Sequence, residues 1–218
     1  RSLVPVSSDL DPSIQAVFGC AVLTGCGAVL NTAKLRAGED VAIVGLGGVG
    51  LAGLLGAVAG GAKNIIAIDA NPEKEAVARE LGADHFVNSR DPDAASQVRS
   101  LSQGGVALAA EFAGVMPALD LAIEVTRRGG RTVTAALPNP TDRLSLAAAR
   151  LVTEERTLLG SYVGSCVPSR DIPNFMALHK KGKLPVDRMI SHRISLTEIN
   201  ESMERLAAGQ AIRQIICF

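Results

Sequence analysis

Val41-Ala42-Ile43-Val44-Gly45-Leu46-Gly47-Gly48-Val49-Gly50 is the stretch whose reading decides the fold. Val41–Gly45 is a continuous apolar run, as expected of a strand covered on both faces. The segment from Gly48 to Gly60 is apolar all round. A helix of that composition must be buried, and Gly53, Gly56 and Ala57 let it lie close to a sheet. Ile65–Asp69 is the next strand. The GxGxxG pattern at Gly45–Gly50 is common by chance in a chain with 22 glycines. Here it follows a strand and opens a helix, and an acid, Asp69, ends the next strand 19 residues beyond Gly50.

Each part of that pattern has a physical reason. Gly45 makes the tight turn, Gly47 leaves room for a pyrophosphate against the backbone, and Gly50 lets helix and strand pack closely. The helix N-terminus, with Leu46, Gly48 and Val49 completing the loop, supplies free N–H groups and a positive dipole end for phosphates. Asp69 is placed to accept hydrogen bonds from adenosine ribose hydroxyls. A 2′-phosphate would meet a carboxylate there, and no Arg lies in the turn Ala70-Asn71-Pro72. The reading is a dinucleotide site that favours NAD over NADP. A glycine-rich turn that only packs a helix leaves the position of Asp69 unexplained.

The alternation continues outward. Asn71-Pro72 opens a helix with Glu75 and Arg79 on the solvent face and Val77 and Leu81 inside, ended by Gly82. His85–Asn88 is a strand. Asp91-Pro92 opens a helix with Val98 and Leu101 inward, and Val106–Phe112 is a strand. Pro117 to Arg128 is a helix ending in basic residues before Gly129-Gly130, and Arg131–Ala136 is a strand. Strands alternating with helical crossovers predict an α/β fold, a doubly wound parallel Rossmann sheet. The tail reads as a strand at Leu158–Val163 and a helix at Ser169–Lys181. A capping box at Ser195-Leu196-Thr197-Glu198 opens a helix with Ile199, Met203 and Leu206 inward, and Ala211–Phe218 is a terminal strand.

Composition narrows the function. The 218 residues carry 22 Lys+Arg against 22 Asp+Glu, and 47% are hydrophobic. The apolar fraction excludes intrinsic disorder, and the balanced charge argues against nucleic-acid binding. No stretch reaches about 18 consecutive apolar residues without a Gly, polar or charged interruption; the run Val49–Ala59 is too short for a membrane span and contains Gly50, Gly53 and Gly56, and no secretory signal is visible. Four cysteines without disulfide or zinc-knuckle spacing predict a reduced, cytoplasmic setting. The chain begins at Arg1, so an absent signal carries little weight. A short-chain dehydrogenase needs a Tyr with a Lys four residues on, whereas Tyr162 is followed at that spacing by Cys166. Methyltransferases with a similar loop usually carry an acid just before it, where this chain has Ile43-Val44. A nicotinamide-sensing regulatory domain stays compatible with the loop alone.

Phe18-Gly19-Cys20-Ala21-Val22-Leu23-Thr24-Gly25-Cys26-Gly27, the loop Gly45–Gly50, the run Ile65 to Lys74 and the ending Gly209 to Phe218 carry a family resemblance. Together they resemble the zinc-dependent medium-chain alcohol dehydrogenases, most of all the liver-type and glutathione-dependent formaldehyde dehydrogenase branch. The likeness runs over essentially the whole chain. It implies that Cys20 matches a ligand of the catalytic zinc and Thr24 a residue packing against the nicotinamide. It implies adenosine-ribose contacts for Asp69 and Lys74. Phe112 and Ala135-Ala136-Leu137 match backbone segments on the nicotinamide side. Ser161 and Val163 match the pair whose backbone holds the carboxamide, and Arg213 matches a phosphate partner.

Without the family, Cys20 reads as a buried small hydrophobe, Arg213 as a surface Arg and Lys74 as the first turn of a solvated helix. Cys26, Cys166 and Cys217 read as packed, reduced thiols, His179 as a structural residue at a helix end, and His85 and His192 as surface or strand-end residues. The family's N-terminal half, which supplies the other catalytic-zinc ligands, has no counterpart here. The resemblance implies that the C-terminal end is complete.

The expected organisation is residues 1–20 as the end of a truncated catalytic domain, 21–162 as the NAD-binding domain, and 163–218 as the C-terminal remnant of a GroES-like catalytic domain. The implied function is the cofactor-binding part of an NAD-dependent zinc alcohol dehydrogenase, inactive alone because Cys20 is its one zinc ligand. The partners implied are an alcohol or aldehyde and a second copy of the chain through the Leu158–Val163 edge, with no nucleic acid and no membrane. A non-catalytic NAD-binding or sensing module is the alternative. A zinc-free, NADPH-using reductase is disfavoured by Cys20 and Asp69.

Overall fold

Strand β1, Asp40–Val44, lies inside a six-stranded parallel sheet and feeds two separate cores. The computed structural model describes residues 3–6 and 9–218. Val41 and Ile43 enter one apolar cluster, Ala42 and Val44 the other, and all four are at most 1% exposed. Side chains alternate faces along a strand, so a sheet covered on both sides must be apolar at every position. The same division holds in β2 (Asn64–Asp69), where Ile65 and Ala67 face one core and Ile66 and Ile68 the other.

The first core is capped by a helix that the strand–helix alternation does not announce. α1 (Pro12–Val17) and α2 (Leu23–Gly27) belong to one continuous helix, Pro12–Thr32, with π-helical turns at Phe18–Val22 and Ala28–Thr32. By length and hydropathy this helix could cross a membrane, yet 61% of its most apolar stretch is buried inside the protein. Thr24 and Asn31 break the uninterrupted run and hide it from a run-length test. It passes from residue 20 to 21 without a break, where the sequence reading divides the first two domains. Of the expected segment 1–20, residues 1, 2, 7 and 8 lie outside the described residues.

α2 packs on α3 (Gly48–Ala59) through small residues. A Cβ on Gly25 would stand 2.6 Å from the Gly53 nitrogen, and one on Gly56 would stand 2.9 Å from Cys26 Cα. Helix backbones meet this closely only where side chains are missing. Because α3 lies between the sheet and α2, it is apolar on every side.

The remaining elements complete the winding: α4 (Lys74–Glu80), β3 (His85–Asn88), α5 (Ala94–Leu101), β4 (Val106–Glu111), α6 (Met116–Val125), β5 (Thr126–Thr134), α7 (Ala148–Thr153) and β6 (Thr157–Gly160). The strand order β3-β2-β1-β4-β5-β6, all parallel, is that of a Rossmann sheet. Its topological switch lies between β1 and β4. Beyond it, α8 (Pro168–Lys180), β7 (Ile190–Ile194), α9 (Ile199–Ala207) and β8 (Arg213–Ile216) return to the first core through Phe175, Met176, Leu184, Met189 and Ile215. β7 and β8 pair in parallel.

Several local expectations are corrected. The helix expected to reach Arg128 ends at Val125, because Thr126 turns extended and its hydroxyl donates to the Ala122 carbonyl at 2.7 Å. Arg127 and Arg128 lie within β5, before the turn at Gly129. Asn71 does not cap α4; it closes a turn by accepting the Glu73 amide at 3.0 Å, and the helix starts at Lys74. Leu101, Met203 and Leu206, expected inward, are 36%, 59% and 46% exposed. α9 lies on the surface and buries Ser202 instead. Cys217 is exposed rather than packed, since β8 ends one residue earlier.

Candidate functional site

The site is built around the turn from β1 into α3. Gly45 has φ +89°, and a Cβ there would lie 2.7 Å from the Ala113 nitrogen, so the position requires glycine. A Cβ on Gly50 would overlap the Gly45 carbonyl oxygen. Gly47 differs: it is extended at the head of the helix, no side chain caps the helix there, and a Cβ would meet nothing within 4 Å. Among the described residues, space is therefore open at Gly47 at the head of α3, whose first amides have no intrahelical acceptor. Leu51 is the first to close a helical bond, donating to the Gly47 carbonyl at 2.9 Å.

Asp69 ties this loop to the next strand. The Leu46 amide donates to Asp69 Oδ2 at 2.6 Å, and the Asn71 amide to Oδ1 at 2.9 Å. Lys74 Nζ donates to the Leu46 carbonyl at 3.1 Å. Arg213 arrives from β8, at the far end of the sequence. Its guanidinium Nη2 lies 3.4 Å from where a Gly48 Cβ would be, and its Nε is buried with no hydrogen-bond partner among the described residues. An orphaned guanidinium N–H beside a helix N-terminus is a donor set suited to a phosphate.

A crevice of about 290 Å3 opens beside this loop at the carboxyl ends of β1 to β4. Val44, Gly45, Ile68 and Ala118 give it apolar walls, and Asp69, Ser89 and Arg90 its polar edge. Ligands of doubly wound sheets bind at such a switch point. The turn after β2 carries no Arg, whereas Arg90 reaches the crevice from the turn after β3.

On the other side of the switch, the two segments expected at the nicotinamide are held together by Glu111, which the sequence reading missed. Glu111 is 1% exposed. Its Oε1 accepts the amides of Ala113 (2.6 Å) and Gly114 (2.7 Å), and its Oε2 accepts the Thr134 hydroxyl (2.6 Å). It thereby fixes the loop after β4 beside Ala135, Ala136 and Leu137. Phe112 lays its ring against Gly53, Ala136 stands beside Gly114, and Leu137 is 85% exposed. The available signal was an acid ending the otherwise apolar run Val106 to Glu111.

The third group lies where α2 meets the turn after β6. Thr24 is half-buried, one helical turn beyond the exposed Cys20, so the two share a face. The Ser161 amide donates to the Thr134 carbonyl at 2.9 Å, and its hydroxyl bonds the Thr32 hydroxyl at 2.8 Å. Val163 has φ +49°, a strained position for a β-branched residue. It opens a left-handed run, Val163 to Ser165, whose Gly164 presses on the Leu23 carbonyl. Burial pushes the Cys26 thiol up and out of reach of ionisation, and burial together with the Asp171 charge raises Cys166 to about 11. Neither is a thiolate at neutral pH. Among the described residues no group of three or more His, Cys, Asp or Glu could hold a metal ion.

The family described as zinc-binding dehydrogenase matches residues 48–181. The chain is 33% identical to a geraniol dehydrogenase from Castellaniella defragrans over 99% of its own length and 58% of that protein's. It is 36% identical to alcohol dehydrogenase 1 of Trifolium repens, over 92% of this chain and 53% of that one. Among solved structures, benzyl alcohol dehydrogenase from Acinetobacter calcoaceticus superposes with a TM-score of 0.94 at 29% identity, covering 98% of this chain and 59% of that one. The chain thus spans a little over half the length of these relatives.

Proposed function

Because the chain belongs to the zinc-binding dehydrogenase family, we propose that it is the NAD-binding portion of an enzyme that oxidises an alcohol to an aldehyde or ketone. The observation that carries the reading is the convergence at the head of α3. Open space at Gly47 and free helix amides stand at the head of α3, the unpartnered guanidinium of Arg213 lies beside Gly48, and Asp69 and Lys74 both bond Leu46 of the same loop. That set fits a dinucleotide: phosphates on the amides and Arg213, ribose hydroxyls on the outer lone pairs of Asp69.

NAD, when bound, supplies the hydride acceptor. The work of this chain is orientation. Ser161, Val163 and Ala135 to Leu137 offer backbone groups along the nicotinamide side, and Thr24 a side chain. Glu111 and the strained turn at Val163 hold those backbones in place. Cys20 alone does not make a zinc site, since a catalytic zinc takes three protein ligands. The proposal therefore rests on the cofactor side, with turnover requiring further ligands. The soluble, cytoplasmic setting and pairing of two copies at the β6 edge belong to the same reading.

The test is direct. The chain has no Trp and a single Tyr, so bound NADH is read by its own fluorescence rather than by transfer from the protein. NADH emission rises saturably on titration with the chain and falls back on addition of ADP, while a panel of alcohols with NAD yields no NADH. Absence of NADH binding contradicts the cofactor assignment, and alcohol-dependent NADH production by the 218 residues contradicts the dependence on further ligands.

A further inference from the structure

We propose that Arg90 is a specificity-determining residue that offsets part of the repulsion between Asp69 and a ribose 2′-phosphate, so that the adenosine crevice takes NADP as well, although Asp69 keeps it in favour of NAD. The inference rests on the dinucleotide reading of the crevice and adds to it the class of nucleotide taken.

Arg90 is held beside Asp69 by the backbone. Asp69 and Asn88 are register partners on β2 and β3, and the Ser89 amide donates to the Asp69 carbonyl at 3.0 Å. Asn88 then closes the turn: its side-chain oxygen accepts the Arg90 amide at 2.9 Å, and its carbonyl accepts the Asp91 amide at 3.1 Å. The Cα of Arg90 therefore sits in a fixed turn, and Arg90 lines the same crevice as Asp69.

The order of groups across the crevice matters. The phosphate loop lies on the β1 side of Asp69, which it meets through the Leu46 amide. Arg90 lies on the β3 side. A ribose held by Asp69 has its 5′-carbon toward the phosphate loop, and its 2′-hydroxyl is on the opposite side of the ring, toward Arg90. Lys74 is engaged on the loop side, where its Nζ donates to the Leu46 carbonyl. The Arg90 guanidinium has no partner among the described residues, so it is the crevice cation available to a new anion. Guanidinium presents paired N–H donors matched to a phosphate. Asp69, whose two oxygens each accept a backbone amide, repels such a phosphate, and the Arg90 cation offsets that repulsion.

The test compares ADP with adenosine 2′,5′-bisphosphate as calorimetric ligands of the chain, wild type and Arg90→Gln. Arg90 is exposed, so the substitution leaves the fold intact, which a melting curve checks. Wild type binds both nucleotides, ADP the more tightly, and no detectable binding of the bisphosphate by wild type overturns the inference. Arg90→Gln weakens the bisphosphate about tenfold and ADP less than twofold, and Arg90→Lys restores part of the difference. Equal loss for both nucleotides, or no loss for either, overturns the assignment to the 2′-phosphate. Failure of wild type to bind ADP at all overturns the dinucleotide reading and this inference with it.

Discussion

Gly47 and Gly50 stand three residues apart in one loop and answer to different demands. A Cβ on Gly47, at the head of α3, meets no described atom within 4 Å, and a Cβ on Gly50 overlaps the carbonyl of Gly45. Gly47→Val is therefore expected to keep the melting temperature within a few degrees and to weaken NADH at least about tenfold, by filling the phosphate volume. Gly50→Ala is expected to cost about 1–3 kcal/mol of stability through overpacking, read by urea unfolding. Equal effects on folding and binding from the two substitutions would contradict this division. At this scale the sequence was informative where spacing carries geometry. The loop glycines and Asp69 are legible because strand, turn and helix lengths are fixed. Arg90 and Glu111 were not, because each acts through a turn or loop that only tertiary pairing brings to the site.

At the element scale, α8 shows how a helix start can depend on one carboxylate. Asp171 accepts the Val167 amide at 2.7 Å and the Arg170 guanidinium at 2.9 Å. The Arg170 hydrogen bond holds its carboxyl below the usual range, against the opposing effect of burial. A carboxylate depressed in the folded state contributes stability above its unfolded value, and that contribution is lost as the pH falls through the folded value. Asp171→Asn is expected to cost about 1–3 kcal/mol at pH 7, with the gap from wild type closing below about pH 4. A gap that stays constant from pH 7 to pH 2 in urea titrations would contradict it.

Element identity was readable where period or punctuation is strong. The all-apolar α3 and the capping box at Ser195–Glu198 both form. The boundary after α6 was not readable, because a Thr hydroxyl bonded back to the helix decides it. The inward faces expected for Met203 and Leu206 failed for a related reason: periodicity shows that a helix has an apolar stripe, not what covers it.

At the scale of the molecule, the sheet ends on β6, whose outer edge has no neighbouring strand among the described residues and whose Leu158 is 37% exposed. An open apolar edge invites pairing. A homodimer through this edge is expected, with sedimentation at twice the 22.5 kDa chain mass, and Leu158→Pro returning the monomer by removing a ladder donor. A monomeric wild type, or a dimer unaffected by the substitution, would contradict that interface. The doubly wound architecture was legible from strand–helix alternation alone. The Pro12–Thr32 helix was not, since its burial beneath α3 is a property of the assembled core.

The central claim is that a dinucleotide lies across the head of α3. The most direct measurement is an amide NMR titration of the chain with NADH. The account predicts that the largest saturable shifts fall on Leu46, Gly47, Gly48, Val49 and Gly50, with Asn71 and the Arg213 side-chain N–H moving at the same midpoint. Saturable shifts centred elsewhere, with these amides unmoved, would contradict it.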